Sequence, residues 1–230
     1  LYVSIILNSD WSTVNLVISI NLEDYSISNY YNVGLGPNQM IILNNTIYIS
    51  RTYYDNGWEE FTGTSSINLA TEEIFIQDYG INNLALCGSD IATYNNTLYR
   101  TWNGGIAMLD ENLEIIPETQ IGGYEYESVY SMAINGDKIY IGLTDDFLSP
   151  DEVVVLDFFG NEVMEYSVGA IPGSYAFWNS ELSIPNLEVI NNDISLLGNY
   201  PNPFNPKTNI TFYLKETSNI DLIIYNLLGQ

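Results

Sequence analysis

Four carboxylates fall within one short stretch, Leu143-Thr144-Asp145-Asp146-Phe147-Leu148-Ser149-Pro150-Asp151-Glu152. Calcium takes its ligands from carboxylate and carbonyl oxygens on a loop able to wrap the ion. Asp145, Asp146, Asp151 and Glu152 supply such oxygens, which makes them the metal candidates of this chain. The stretch lacks the D-x-[DN]-x-[DN]-G spacing of a dedicated calcium loop, so the expected state is a solvated, self-repelling bulge with no metal and no cofactor. A second group is aromatic: Trp11, Tyr53, Tyr54, Trp58 and Trp102 lie in variable stretches beside Asp10 and Asp55. Rings next to carboxylates suit a sugar or peptide ligand. The same rings could equally fill seams between packed elements.

Other chemistry is excluded by composition. Histidine is absent, which removes Ser-His-Asp and Cys-His constellations and most zinc sites. Cys87 is the only cysteine, so no intrachain disulfide can form, and its run Leu84-Ala85-Leu86-Cys87 marks it as a small buried side chain. Neither a G-x-x-x-x-G-K-[ST] nor a G-x-G-x-x-G motif offers a phosphate cradle, and Gly34-Leu35-Gly36-Pro37 reads as a plain turn. No pair among the many acids stands out for glycoside cleavage, so no catalytic residue is assigned.

Charge narrows the partners. Five basic residues face 29 acidic ones, a net charge of -24. Nucleic acid and anionic membrane surfaces both need clustered Lys and Arg, so neither is expected. No apolar run approaches the roughly eighteen residues of a membrane span. The acidity suits solubility in a salty exterior, where repulsion is screened.

The elements that would position these side chains repeat along the chain. Ile41-Ile42-Leu43-Asn44-Asn45-Thr46-Ile47-Tyr48-Ile49-Ser50 matches Ala92-Thr93-Tyr94-Asn95-Asn96-Thr97-Leu98-Tyr99 and Ala133-Ile134-Asn135-Gly136-Asp137-Lys138-Ile139-Tyr140-Ile141. A weaker copy runs from Phe177 to Ile184. Each is an apolar strand, an Asn-led tight turn that accepts positive φ, and a second strand with an aromatic or β-branched residue. The opening Leu1-Tyr2-Val3-Ser4 aligns with Ile47-Tyr48-Ile49-Ser50, so the chain is expected to begin on the second strand of a repeat. Between these hairpins falls another, as at Ser66-Ile67-Asn68-Leu69 to Gly80 and Val153-Val154-Val155-Leu156-Asp157 to Gly169.

Two hairpins in each period of 41–51 residues make four strands per repeat. The expected fold class is all-β: a partial ring of four-stranded antiparallel β-propeller blades over 1–190, with blade boundaries near 34, 80, 122 and 169. In that arrangement the aromatic and acidic stretches Asn8–Val14, Thr52–Gly63, Trp102–Gly105 and Leu143–Glu152 share one rim. The hairpin rhythm resembles that of secreted YncE-like and quinoprotein-like propellers, a likeness that implies nothing narrower about function.

After an expected linker at 191–198 the pattern changes. Tyr200-Pro201-Asn202-Pro203-Phe204-Asn205-Pro206 opens a proline-punctuated lead-in that forbids helix. Ile210, Phe212 and Leu214 then alternate with Thr211 and Tyr213, the pattern of a half-buried strand. A second apolar strand ends in Tyr225-Asn226-Leu227-Leu228-Gly229-Gln230. Residues 199–230 closely resemble the start of the type A C-terminal sorting domain of the type IX (Por) secretion system. The resemblance rests on Tyr200, Pro201, Asn202, Pro203, Phe204, Asn205, Pro206, Tyr225, Asn226, Gly229 and Gln230. It implies an Ig-like β-sandwich tail of which about the first half is present here. It also implies a partner in that secretion machinery, removal of the tail after export, and an outer-surface or extracellular location on a Bacteroidetes-type Gram-negative cell. The expected function is therefore a secreted or surface protein whose non-enzymatic propeller binds or adheres, with a polysaccharide-degrading lyase or hydrolase, or a structural spacer, as alternatives.

Overall fold

A computed structural model describes residues 1–81, 90–177, 194–200 and 206–214, the stretch 194–200 by its backbone alone. Cys87, Pro201 to Asn205, Tyr225, Asn226, Gly229 and Gln230 lie outside the described residues, as does most of the Phe177–Ile184 hairpin. The described residues are all-β, with one short 3-10 turn at Tyr126–Ser128 and no α-helix among them. None of their helices is long and apolar enough to cross a membrane.

Four antiparallel sheets follow one another as propeller blades. The first joins β1 (Tyr2–Leu7), β2 (Thr13–Ile20) and β3 (Ile27–Asn32) in order. The second joins β4 (Pro37–Leu43), β5 (Thr46–Tyr54), β6 (Glu60–Asn68) and β7 (Ile74–Ile81). The third joins β8 (Ile91–Tyr94), β9 (Thr97–Trp102), β10 (Gly105–Leu109) and β11 (Ile115–Ile121). The fourth joins β12 (Val129–Asn135), β13 (Lys138–Leu143), β14 (Asp151–Leu156) and β15 (Glu162–Val168). Every neighbour is the next strand in sequence, the result of short loops that permit only hairpins.

Turn chemistry sets the registers. Leu43 pairs with Thr46 across Asn44-Asn45, and Tyr94 with Thr97 across Asn95-Asn96. All four asparagines have positive φ, the requirement of a two-residue turn that matches strand twist. In the fourth blade Asn135 pairs with Lys138, so Gly136, at φ 59°, and not Asn135, carries the left-handed position. Asn44 donates from Nδ2 to Asn96 Oδ1 at 2.8 Å, which links these turns on one rim.

The core lies in the seams between successive blades. Val17, Tyr31 and Val33 of the first blade and its exit meet Ile47, Ile49 and Ile67 of the second. Ile91, Leu98, Leu109 and Leu113 pack with Ile41, Leu43, Tyr48 and Tyr79 across the next seam. Ala92, Tyr99 and Ile106 meet Val129, Met132, Ile139, Ile141, Val154 and Leu156 across the third. The repeated tyrosines hold equivalent places. Tyr2, Tyr48 and Tyr99 each pack toward the following blade. Tyr140 does the same against the next stretch of chain, with ring centroids 4.8 Å from Phe177 and 6.1 Å from Tyr175. The residue after each tyrosine faces the preceding blade, because strand side chains alternate. It is Ile49, Arg100 or Ile141, and Arg100 is the charged exception.

The chain forms two compact units, Leu1–Phe177 and Trp178–Gln230. In the second unit β16 (Ile194–Tyr200) pairs with β17 (Asn209–Leu214), Tyr200 opposite Asn209. Most of the stretch 191–198, expected as a linker, therefore belongs to a strand, for which Ile194, Leu196 and Leu197 supply apolar sequence. On β17, Ile210 and Leu214 are half-buried while Phe212, expected on the same face, is 40% exposed.

Candidate functional site

The loops joining second to third strands, β1–β2 and β5–β6, are the same structure built from different residues. Leu7 pairs with Thr13 and Tyr54 with Glu60. Trp11 N donates to Asn8 O at 3.0 Å, and Trp58 N to Asp55 O at 3.1 Å. Asn8 N and Asp55 N close the loops onto Ser12 O and Glu59 O. This is a tight turn whose last residue is left-handed: φ is 66° at Trp11 and 64° at Trp58. Asp55 Oδ1 steadies its loop by accepting from Gly57 N at 2.8 Å and Glu59 N at 2.9 Å.

A bulky residue at positive φ carries backbone strain of about 1–2 kcal/mol. The same turn elsewhere shows how that strain is avoided or offset. Gly160 takes the left-handed position between β14 and β15, where no Cβ is present to clash. Leu113 takes it between β10 and β11 and is 3% exposed, so burial offsets the strain. Trp11 and Trp58 have no such compensation, being 79% and 83% exposed. The loops hold two indoles up into solvent at the tips of adjacent blades.

Between them lies a groove of about 680 Å³. Its walls are Trp11, Tyr54, Trp58, Leu7 and Leu35, with Asp55, Asn56, Ser12 and Thr13 at the margins. The Tyr54 and Trp58 ring centroids stand 6.4 Å apart at 51°. Leu35 enters from the connection between blades. Gly36 makes that entry feasible: its φ is +67°, and a Cβ there would lie 1.9 Å from the Thr52 carbonyl oxygen. Tyr54 donates its hydroxyl to Glu60 Oε2 at 3.0 Å, and Ser12 donates its own to Asp10 Oδ1 at 2.6 Å. The Ser12 hydroxyl and the Ser12 backbone N–H hold the Asp10 carboxyl below its usual range, so it stays ionised.

Of the five rim aromatics, the structure brings Trp11, Tyr54 and Trp58 together and leaves two apart. Tyr53 faces the opposite side of β5, stacked on Phe61 at 5.6 Å and 13°, with its hydroxyl 3.3 Å from Asp78 Oδ1. Trp102 is half-buried beside the β9–β10 turn and lies outside the groove. Leu7 and Leu35 were not legible as site residues. An apolar residue at a strand end and one in a Gly-x-Gly turn look like ordinary punctuation.

The acidic loop places its carboxylates on separate tasks. Asp146 accepts from Leu148 N and Ser149 N at 2.8 and 2.7 Å, bonds that lower its pKa. Asp151 is buried and accepts from Ile171 N at 2.6 Å, which lowers its own. Glu152 points to solvent from β14. Among the described residues no group of three or more His, Cys, Asp and Glu converges as a metal site.

Besides Arg51 and Asp151, two further charged side chains are buried, and nothing in the sequence marks them. Arg100 is fully buried, donating from Nη1 to Gly63 O at 2.6 Å and to Thr64 Oγ1, with its guanidinium 4.9 Å from the Tyr79 ring centroid. Burial pushes its pKa down to about 10. Asp90, just before β8, is buried and accepts from Met132 N. Burial lifts its carboxyl to about 6 against the pull of that bond and of Arg100. Both sit in blade seams, away from the rim groove.

No protein-family model and no curated protein matches the chain. Among solved structures, a crystal structure of a glucose dehydrogenase is similar at 12% identity and a TM-score of 0.42, over 70% of this chain and 56% of that one. The chain thus spans little more than half the length of that enzyme. A likeness of this size carries no argument about activity, and the chain stands described by its blades and its groove.

Proposed function

We propose that these blades are a non-enzymatic binding or adhesion module of an exported protein, with the groove of Trp11, Tyr54 and Trp58 as the binding face. The observation that carries the binding half is the presentation of two strained, solvent-exposed indoles on identical loops of adjacent blades. Nothing in the folding of these loops calls for tryptophan there, and concave surfaces lined by aromatic residues are common ligand sites. The export half rests on the Tyr200–Pro206 motif and the strand that follows it, which resemble a type IX sorting tail. Such a tail would place the protein on or outside a Bacteroidetes-type cell. Strong net negative charge agrees with an exterior setting.

Two experiments test the halves separately. Deleting everything from Asn199 onward should leave the parent protein in the periplasm of a type IX-competent host. Undiminished appearance outside the cell would reject the export reading. Cells displaying the parent protein with Trp11→Ala and Trp58→Ala together should adhere to their polymer or protein substratum at least about tenfold more weakly, the scale of losing aromatic anchors from a binding face. Unchanged adhesion would reject the groove as the binding face.

A further inference from the structure

Taking the groove to be a binding face, we infer that it selects an organic cation, a ligand bearing an alkylated or quaternary ammonium group.

The walls offer the faces of two indoles and a phenol ring, whose negative quadrupoles attract a cation held over them. The Tyr54 hydroxyl and the Ser12 hydroxyl both donate their protons to carboxylates, and Ser12 Oγ also accepts from Asn8 Nδ2 at 3.0 Å, so neither hydroxyl offers its proton to a ligand. Asp55 stands at the groove margin. Its Oδ1 is occupied by two backbone N–H groups, while Oδ2 accepts no hydrogen bond among the described residues. Asp10 and Glu59 on the same two loops, and Glu60 at the start of β6, add negative charge.

No lysine or arginine lines the groove to offset this. Of the five basic residues in the chain, Arg51 is buried and paired with Asp78. Arg100 is buried in the next seam. Lys138 pairs with Asp137 at 2.9 Å beside the β12–β13 turn, and the other two belong to the tail. An anion would meet only repulsion here. A neutral sugar has the indole N–H groups, the Asn56 amide and the Thr13 hydroxyl as donors, but it gains nothing from the negative charge around the groove. A soft, weakly hydrated cation gains from the rings and the carboxylates together.

The whole chain is titrated with choline and with neohexanol, its uncharged carbon isostere, while indole fluorescence and heat are followed. Cellohexaose serves as a neutral oligosaccharide probe. Choline should bind saturably, and neohexanol roughly tenfold or more weakly, the margin expected of a partly desolvated cation–aromatic contact. Asp55→Asn should weaken choline several-fold. Asparagine keeps the loop, since Asn8 holds the equivalent position in the β1–β2 loop and Asn68 caps its own turn through Oδ1 contacts to Ala70 N and Thr71 N. If neohexanol or cellohexaose binds as tightly as choline, and Trp58→Ala abolishes that binding, the cation selectivity is overturned while the groove remains the binding face. If no probe binds, the cation selectivity falls and the adhesion assay alone judges the groove; if choline binding survives Trp11→Ala with Trp58→Ala, both readings fall.

Discussion

Truncation of Arg100 to alanine is expected to cost the blades about 4 kcal/mol of stability, because it opens a large cavity in a seam and strips the Gly63 carbonyl of its donor. Arg100→Leu is expected to restore the chain to within about 1 kcal/mol of wild type. The repeat supplies the reason. At the same place on the second strand the neighbouring blades carry Ile49 and Ile141, both fully buried and packed on the preceding blade. Arg100 fills this apolar site while keeping its charge at neutral pH, since its pKa falls only to about 10. Its Nε and Nη2 find no acceptor among the described residues. Leucine would lose the bonds to Gly63 and Thr64 but escape the cost of an under-satisfied buried cation. Urea unfolding of the three proteins decides the matter. A leucine variant as unstable as the alanine variant would show that the guanidinium bonds, and not the volume, hold this seam.

Asp90→Asn is expected to stabilise the chain at neutral pH by as much as about 3 kcal/mol, and to change little at pH 4. The folded carboxyl titrates near 6 against an ordinary value of 3.8, because the seam desolvates its charge. A raised carboxyl pKa means that the folded state holds the proton more tightly than the unfolded one. The associated stability is present below about pH 4, and is lost as pH rises through 6. Asparagine keeps an oxygen for the Met132 N–H and never ionises, so the variant should lack this pH-dependent loss. The bonds from Thr101 N to Asp90 O and from Asp90 N to Thr101 Oγ1 do not depend on the substitution. Melting temperatures of both proteins from pH 4 to 8 give the comparison. A variant less stable than wild type at pH 7 would mean that the attraction between Asp90 and Arg100 outweighs desolvation.

The hairpin turns and the seam tyrosines were legible in the sequence, because both rest on local rules. Asn44-Asn45 and Asn95-Asn96 satisfy positive φ wherever they occur, and period-two alternation puts Tyr48 and Tyr99 on one face. Arg100 and Asp90 were illegible for the opposite reason. Charge is ordinarily a mark of exposure, and only alignment of Arg100 with Ile49 and Ile141 betrays a buried position. Among the rim aromatics, sequence brought five side chains to one edge but could not separate Tyr54 from Tyr53. That distinction belongs to strand alternation on β5, which sends one ring to the groove and its neighbour onto Phe61. The left-handed position of Trp11 and Trp58 was also hidden, since that turn usually advertises itself with glycine or asparagine.

Binding by variants on the two opposite rims tests the account most directly. Trp11→Asn and Trp58→Asn are the informative substitutions, because asparagine tolerates the left-handed φ here, as Asn44 and Asn45 already do. Each should fold at least as stably as wild type, so any loss of binding is not loss of structure. Phe159→Ala removes an equally exposed aromatic, 92% accessible, from the β14–β15 turn on the other rim. The labelled chain and its variants are applied to one printed array of glycans, peptides and organic cations. The account predicts that every wild-type signal falls by roughly tenfold or more in both tryptophan variants and persists in Phe159→Ala. Signals that survive both tryptophan changes, or that disappear with Phe159, would contradict it.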